Sequence, residues 1–429
     1  MSDNARVPAA VVAANTVAFT LSFAVWVIFG PSIRGIAKEL HLAPATAAFI
    51  KTLPVLVGSV MRIPIGVLTD RIGARLTFPI LMLASAGSLY GLADATSATA
   101  LIVNALVMGM VGTTFVVGVQ SVSSWTPPSR RGFALGIFGA GNVGTALTTF
   151  GLPLAMASLG WRGAFRLYGL VTAAGAVGYW FLVRNVRRPM MKDASRQGPP
   201  LDIRTLLSPL TSARAWRFGL YYLATFGVFV AATLTITDVY VDGYRMPLKT
   251  AGLLATTFTC AASLCRIPGG RLADRFGARQ VTRLSLAAIV CFLTPVCLGP
   301  PLAMTVTLVF AAGIAMGFGM AAVFRYIPDY FPQTVGAVGG AVGALGGLGG
   351  FFLPQLGDAL KPVFGAAYVE VLPLAAAAFA ALLVQQWMIA RSALPASDPE
   401  GAGLSALRSA VAKRAGATPR AAPRERVQG

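Results

Sequence analysis

The chain has 429 residues, of which 56% are hydrophobic and only 12% charged, with a mean hydropathy of +0.71. A soluble globular protein carries roughly 25% charge, so this composition excludes an ordinary water-soluble fold and points to lipid as the solvent. The formal charge of +20 would suggest nucleic acid for a soluble protein, but here the basic residues lie in loops and tails between apolar runs, where they report topology, and no nucleic-acid partner is expected.

Apolar runs of about 20 residues recur from end to end, each long enough to cross the hydrocarbon core. In lipid such runs must be helices, because every backbone polar group has to be bonded internally. In chain order, spans are expected near 12–33, 45–68, 76–93, 99–122, 131–158 and 164–185, then near 216–240, 248–272, 280–299, 302–325, 333–357 and 366–390. The first run is too long for a cleavable signal peptide and lacks a small-residue cleavage site. The expected architecture is an all-α membrane protein of twelve transmembrane helices in two pseudo-symmetric six-helix halves. The halves are residues 1–185 and 216–391, joined by a basic linker at 186–215 and followed by a basic tail at 392–429 that is expected to be disordered.

Charge orients the spans. Arg71 and Arg75, Arg130 and Arg131, the seven basic residues from Arg184 to Arg214, and Arg275, Arg279 and Arg283 fall on one side if both termini lie there. The positive-inside rule makes that side cytoplasmic. Cys260, Cys265, Cys291 and Cys297 all fall in or beside apolar segments and are read as small buried hydrophobes. Neither a disulfide framework nor a metal or cofactor site is expected.

The chain repeats itself. Residues 59–75, SVMRIPIGVLTDRIGAR, match residues 263–279, SLCRIPGGRLADRFGAR, at 11 of 17 positions with a constant offset of 204. The same offset places Pro128, Gly132, Gly136, Gly139 and Ala140 on Pro332, Gly336, Gly340, Gly343 and Ala344. Chance does not hold one register over that length. Two parallel homologous halves are a transporter architecture, with the binding site between them near mid-bilayer.

Arg62 and Arg266 carry the chemistry. Each lies inside an apolar span about two turns from its end. A charge there costs ~2.5–3.5 kcal/mol even on insertion scales. The nearest carboxylates in the same helices, Asp70 and Asp274, are eight residues away, about 12 Å along a helix. Equivalence under the repeat points both guanidinium groups at one central chamber, where their planar forks suit a planar oxyanion. Pro64 and Pro268 follow each arginine by two residues and predict a kink there. Glycines at 4-3-4-3 spacing open the eleventh span (Gly336 to Gly350), and GFALGIFGAGNVG (132–144) opens the fifth. Such faces allow close helix approach, either as sliding surfaces or as backbone near a cargo, with Gly139, Gly141, Gly343 and Gly346 the candidates. Asn142 is a buried amide in need of partners.

GVLTDRIGAR (66–75) and its copy GRLADRFGAR (270–279) resemble the loop signature of the major facilitator superfamily. The resemblance implies a conformational latch formed by Gly66, Asp70, Arg71 and Arg75 and by Gly270, Asp274, Arg275 and Arg279. The aspartates are expected to pair with loop arginines and to cap a neighbouring helix N-terminus. Together, the two glycine tracts and the arginine–x–proline pair resemble the nitrate/nitrite porter family over nearly all of residues 12–390. That resemblance implies that Arg62 and Arg266 grip nitrate, that Asn142 donates to it, and that Tyr222, Phe23, Phe115 and Phe226 line the site. Met320 stands where the family often has asparagine in a GxGNG run, and Arg325 follows it.

The expectation is therefore a monomeric secondary transporter in a bacterial inner membrane, not an enzyme. It would move nitrate or nitrite by alternating access. Exchange is electroneutral. Proton symport needs a titratable carrier, for which only Asp238, Asp329, Asp358 and Glu370, near span ends, are available. Other expectations from the same residues are a porter for another small organic or inorganic anion, and a non-transporting anion sensor.

Overall fold

The computed structural model describes residues 9–127, 130–184, 211–331, 335–364 and 367–391. Most of the 186–215 linker, all of the 392–429 tail, and Pro128 and Pro332 lie outside the described residues. Every regular element among the described residues is helical.

Among the described residues the helices form twelve consecutive segments. They are α1 (Ala9–Glu39), α2 (Pro44–Val60 with Arg62–Ile72), α3 (Ala74–Ala93) and α4 (Ala98–Trp125). A continuous stretch Arg131–Val183 turns at Gly160, whose φ of 66° suits glycine alone, and so makes α5 (131–159) and α6 (161–183). The second set is α7 (Ala213–Gly243), α8 (Lys249–Phe276), α9 (Ala278–Val296), α10 (Leu302–Tyr330), α11 (Val335–Phe364) and α12 (Leu372–Arg391). Large apolar side chains such as Phe150, Leu170, Leu182, Phe352 and Leu383 stay exposed on the outside of the bundle, the pattern of a surface solvated by lipid. None of the four cysteines is fully buried, contrary to the expectation: Cys291 belongs to that surface, and Cys260, Cys265 and Cys297 are half-buried.

The repeat recurs as local geometry. α2 breaks at Met61 and α8 at Cys265, positions related by the offset of 204. Pro64 and Pro268 are the cause. Proline lacks an N–H and its ring collides with the carbonyl four residues back, so the helix cannot run straight through. The two segments of α2 meet at 44°. Gly73 and Gly277 end these helices with φ of 80° and 85°, a conformation closed to other residues, and start α3 and α9.

The glycine tracts explain how the halves meet. A Cβ on Gly136 of α5 would stand 2.5 Å from the carbonyl oxygen of Arg266 in α8, and one on Gly340 of α11 would stand 2.5 Å from the carbonyl oxygen of Arg62 in α2. Each tract thus seats the kinked helix of the opposite half, at backbone-to-backbone distance. These two seams close the face that bears the repeated motif loops. On the opposite face, Asp238 of α7 holds Arg34 of α1 and Lys51 of α2, and the Thr149 and Thr256 hydroxyls meet at 3.1 Å. The molecule is closed over its centre on both faces.

Candidate functional site

The kinks deliver Arg62 and Arg266 to the centre of the bundle, where they are 0% and 1% exposed. Among the described residues neither forms an ion pair. Arg62 is held by carbonyls. Its Nη1 donates to Gly343 at 2.5 Å, and its Nε donates to Gly112 at 3.3 Å. Its Nη2 has no partner among the described residues. Arg266 has less: its Nη1 faces the Met320 sulphur at 3.7 Å, and its Nε is unpartnered. A thioether is a weak acceptor, so Arg266 is the less satisfied of the two.

Aromatic faces replace counter-ions. The Arg62 guanidinium carbon lies 5.3 Å from the Trp26 ring, 5.5 Å from Phe115 and 5.1 Å from Phe226. The Arg266 guanidinium lies 5.4 Å from the same Phe115 ring. One ring therefore serves both cations. Phe115, Tyr222 and Phe226 stack on one another at interplanar angles of 9–14°, and Phe324 meets Phe115 and Tyr222 edge-on. Such contacts offset part of the desolvation cost, up to about 2 kcal/mol each when dry. They do not cancel the charge. The buried Tyr222 hydroxyl lies beside the Arg266 guanidinium without reaching hydrogen-bond geometry. Asn142 turns its amide nitrogen to the Met320 sulphur at 3.9 Å, leaving its oxygen unpartnered. Asn142 is thus a buried, half-used amide that shares the Met320 sulphur with Arg266.

Local backbone irregularity serves this chamber. α4 tightens into a 3₁₀ turn at Met110–Thr113, which presents the Gly112 carbonyl to Arg62. α5 does the same at Ala140–Val143, which carries Asn142. α7 widens into a π turn at Leu223–Gly227, between Tyr222 and Val228. Non-helical turns of this kind are tolerated at membrane depth where they face protein rather than lipid, and they frequently mark functional positions.

Comparison with known proteins agrees with this geometry. The profile of the Major Facilitator Superfamily matches residues 16–251 and 242–422. The probable nitrate/nitrite antiporter NarK1 of Thermus thermophilus is 39% identical over 80% of this chain and 83% of its own. The chain belongs to the major facilitator superfamily, in its nitrate/nitrite porter family. A probable nitrate/nitrite transporter, NarK2 of Mycobacterium tuberculosis (strain H37Rv), is 34% identical over 86% of this chain and 94% of its own. The nitrite extrusion protein of Bacillus subtilis (strain 168) is 28% identical over 87% and 93%. Among solved structures, the human organic anion transporter MFSD10 superposes with a TM-score of 0.71 over 88% of this chain and 99% of its own, at 14% identity, which speaks for the fold alone.

Within this porter, the predicted residues separate by place. Arg62, Arg266, Asn142, Tyr222, Phe115 and Phe226 converge on the chamber. Phe23 stands one layer back, against Trp26 and Phe226. Gly343 gives its carbonyl to Arg62, and Gly139 lies against the Arg266 guanidinium, where a Cβ would come within 2.7 Å of Cζ. Gly346 makes room for the Tyr222 ring. Gly141 faces Phe19 and the Thr16 carbonyl of α1 instead, so its lack of a side chain serves helix packing and not the guanidinium groups. Trp26 and Phe324 were missed: nothing in their own neighbourhoods distinguishes them from other span aromatics. Met320, a departure from the family pattern in the sequence, places its sulphur between Arg266 and Asn142.

The loop motifs of the porter behave differently in the two halves. The Asp274 carboxylate accepts the backbone N–H groups of Gly132 and Phe133 at 3.2 and 2.9 Å, at the N-terminus of α5. Asp70 faces the start of α11 near Ala337, the position equivalent to Phe133. The helix capping expected of the motif aspartates is made by Asp274. The ion pairing is not as expected: Asp274 binds Arg325 of α10 at 2.8 Å rather than a loop arginine, and Arg325 also holds Asp329. Arg75 and Arg275 lie over the Trp180 and Phe276 rings, and the Arg279 carbonyl accepts from Gln385. Gly66 and Gly270 are buried in the seams, and Gly270 is in backbone contact with Gly132.

Proposed function

We propose that this chain moves nitrate and nitrite across a bacterial inner membrane by alternating access, as an exchanger. The observation that carries the reading is the pair of dry guanidinium groups that share Phe115, with no carboxylate on either among the described residues and with Arg62 Nη2, Arg266 Nε and the Tyr222 hydroxyl all lacking acceptors there. Three donors around a flat aromatic lining suit a small planar anion, and exclusion of water strengthens each contact. Without an anion the two like charges oppose closure of the chamber. An anion relieves that repulsion, so loaded transitions outrun empty ones and exchange outruns leak.

Import of one anion against an inside-negative potential costs ~2.3 kcal/mol per 100 mV. Exchange of nitrate for nitrite avoids this cost. Two of the four candidate proton carriers, Asp238 and Asp329, are engaged in ion pairs with residues other than Arg62 and Arg266, which favours exchange over symport. Loop charge supports a cytoplasmic motif face with both termini on it. The two halves, residues 1–185 and 216–391, rock about the chamber within a single chain.

The test is flux into proteoliposomes loaded with nitrite and exposed to external nitrate, with and without a protonophore. Uptake is expected to require internal nitrite and to ignore the protonophore. Uptake that needs no nitrite and collapses with the protonophore would make the protein a proton symporter. Absence of nitrate flux under every condition would remove the cargo assignment.

A further inference from the structure

On the face opposite the motif loops, one carboxylate is shared by two cations. Arg34 Nη2 binds Asp238 Oδ1, and Lys51 Nζ binds Oδ2 at 3.3 Å. Arg34 and Lys51 belong to α1 and α2, on one side of the seam between the halves, and Asp238 belongs to α7, on the other. Positions 34 and 238 are also related by the repeat offset of 204, so the same place in the two halves carries opposite charges.

We infer that Arg34 and Lys51 form an anion-docking site at the outer mouth, which Asp238 occupies while that face is shut. The inference rests on the anion-porter reading and follows from the chemistry of the triad. A carboxylate is a planar O–C–O fork with a single negative charge. Nitrite and nitrate present an O–N–O fork with the same charge. One cation on each oxygen is the grip that either anion would receive. Opening this face must carry Asp238 away from both cations together, because the carboxylate moves with α7. Arg34 and Lys51 stay side by side. The Arg34 side chain is already 56% exposed, and those of Lys51 and Asp238 are 21% and 22% exposed, so the pair becomes two unpaired positive charges at the rim. They attract an external anion, and the anion offsets the broken ion pairs. The carboxylate is in effect a tethered competitor of the cargo.

A plain gate and a docking site predict different signs. If the triad only holds the face shut, removing any member favours opening and moves the KM for external nitrate in one direction. If it docks the anion, removing the cations and removing the competitor act oppositely. The experiment measures initial nitrate uptake into nitrite-loaded proteoliposomes, at ionic strength held constant with gluconate. Arg34→Gln with Lys51→Gln is expected to raise KM about tenfold with kcat within about twofold, and Asp238→Asn to lower KM about threefold. The second readout is labelling of Thr256→Cys, in a chain whose four native cysteines are replaced, by an external membrane-impermeant maleimide. Nitrate is expected to accelerate labelling when Arg34 and Lys51 are present and not when both are glutamine. Shifts of KM in the same direction in both variants, or nitrate-stimulated labelling that survives loss of both cations, would overturn the docking site. Absence of flux together with nitrate-stimulated labelling would leave the docking site standing and remove only the cargo assignment.

Discussion

Arg62 and Arg266 occupy the same position in two copies of one motif, yet they are held differently. Arg62 is fixed by two backbone carbonyls and three aromatic faces. Arg266 has a thioether, one shared ring and a neighbouring tyrosine hydroxyl. The repeat equalises position and leaves environment free to diverge. Arg62 is pre-oriented, with one nitrogen left for a ligand. Arg266 can still adjust. A site with one rigid and one adaptable cation can close on two anions of different shape, as exchange of nitrate and nitrite requires.

The comparison can be broken most severely at Arg62. Lysine keeps the charge but cannot hold the Gly112 and Gly343 carbonyls while offering a fork to a ligand. Arg62→Lys is expected to lower kcat/KM for nitrate about 100-fold, near 2.7 kcal/mol. Arg266→Lys surrenders no carbonyl contact and is expected to cost about tenfold. Equal losses in the flux assay would end the distinction between the two.

Phe115 sharpens it next. Because that ring serves both cations, Phe115→Leu is expected to raise KM about tenfold, whereas Phe226→Leu, whose ring faces Arg62 alone, is expected to raise it about threefold. The glycines beneath the guanidinium groups come after. A methyl on Gly139 meets Arg266 within 2.7 Å of Cζ, whereas one on Gly343 makes a less severe contact with the Arg62 Cδ at 3.2 Å. Gly139→Ala should therefore raise KM several-fold and Gly343→Ala less; the reverse order in the flux assay would show that the Arg266 guanidinium moves aside freely. The smallest effect is expected at the motif carboxylates. Asp274→Asn loses an ion pair to Arg325, whereas Asp70→Asn loses none among the described residues. A partly buried pair of this kind is worth about 1 kcal/mol, so Asp274→Asn should lower the thermal midpoint of the detergent-solubilised protein by a few degrees more than Asp70→Asn.

How much of this was legible follows from where the information lies along the chain. The repeat, the kinked arginine helices and the glycine faces are local patterns, and each stands in the structure where 3.6-residue periodicity and proline chemistry place it. The arginines could be assigned to one chamber because equivalent positions face a common axis. What could not be read is the set of contacts that close only between distant spans. Trp26 over Arg62, Phe324 against Tyr222 and Arg325 on Asp274 join residues with no shared local pattern. The tight and wide turns at Met110–Thr113, Ala140–Val143 and Leu223–Gly227 each contain a glycine, but so do many regular stretches of the spans, so glycine alone does not mark them in the sequence. The Arg34–Asp238 pair was within reach, since comparing charges at positions 204 apart would have found it.

The seating of each arginine helix on the other half's glycines bears on how such a molecule can be assembled and can change. Gly136 carries no side chain for the sake of the backbone at Arg266, and Gly340 for the sake of that at Arg62. Neither copy of the duplicated unit holds both its own cation and the bed that receives it. A chain cut in the central linker would yield two fragments, each with an exposed guanidinium and an empty groove, and only their union would bury either charge. A bulky substitution in one fragment would then wound the other, which keeps both halves of an ancient duplication under one constraint.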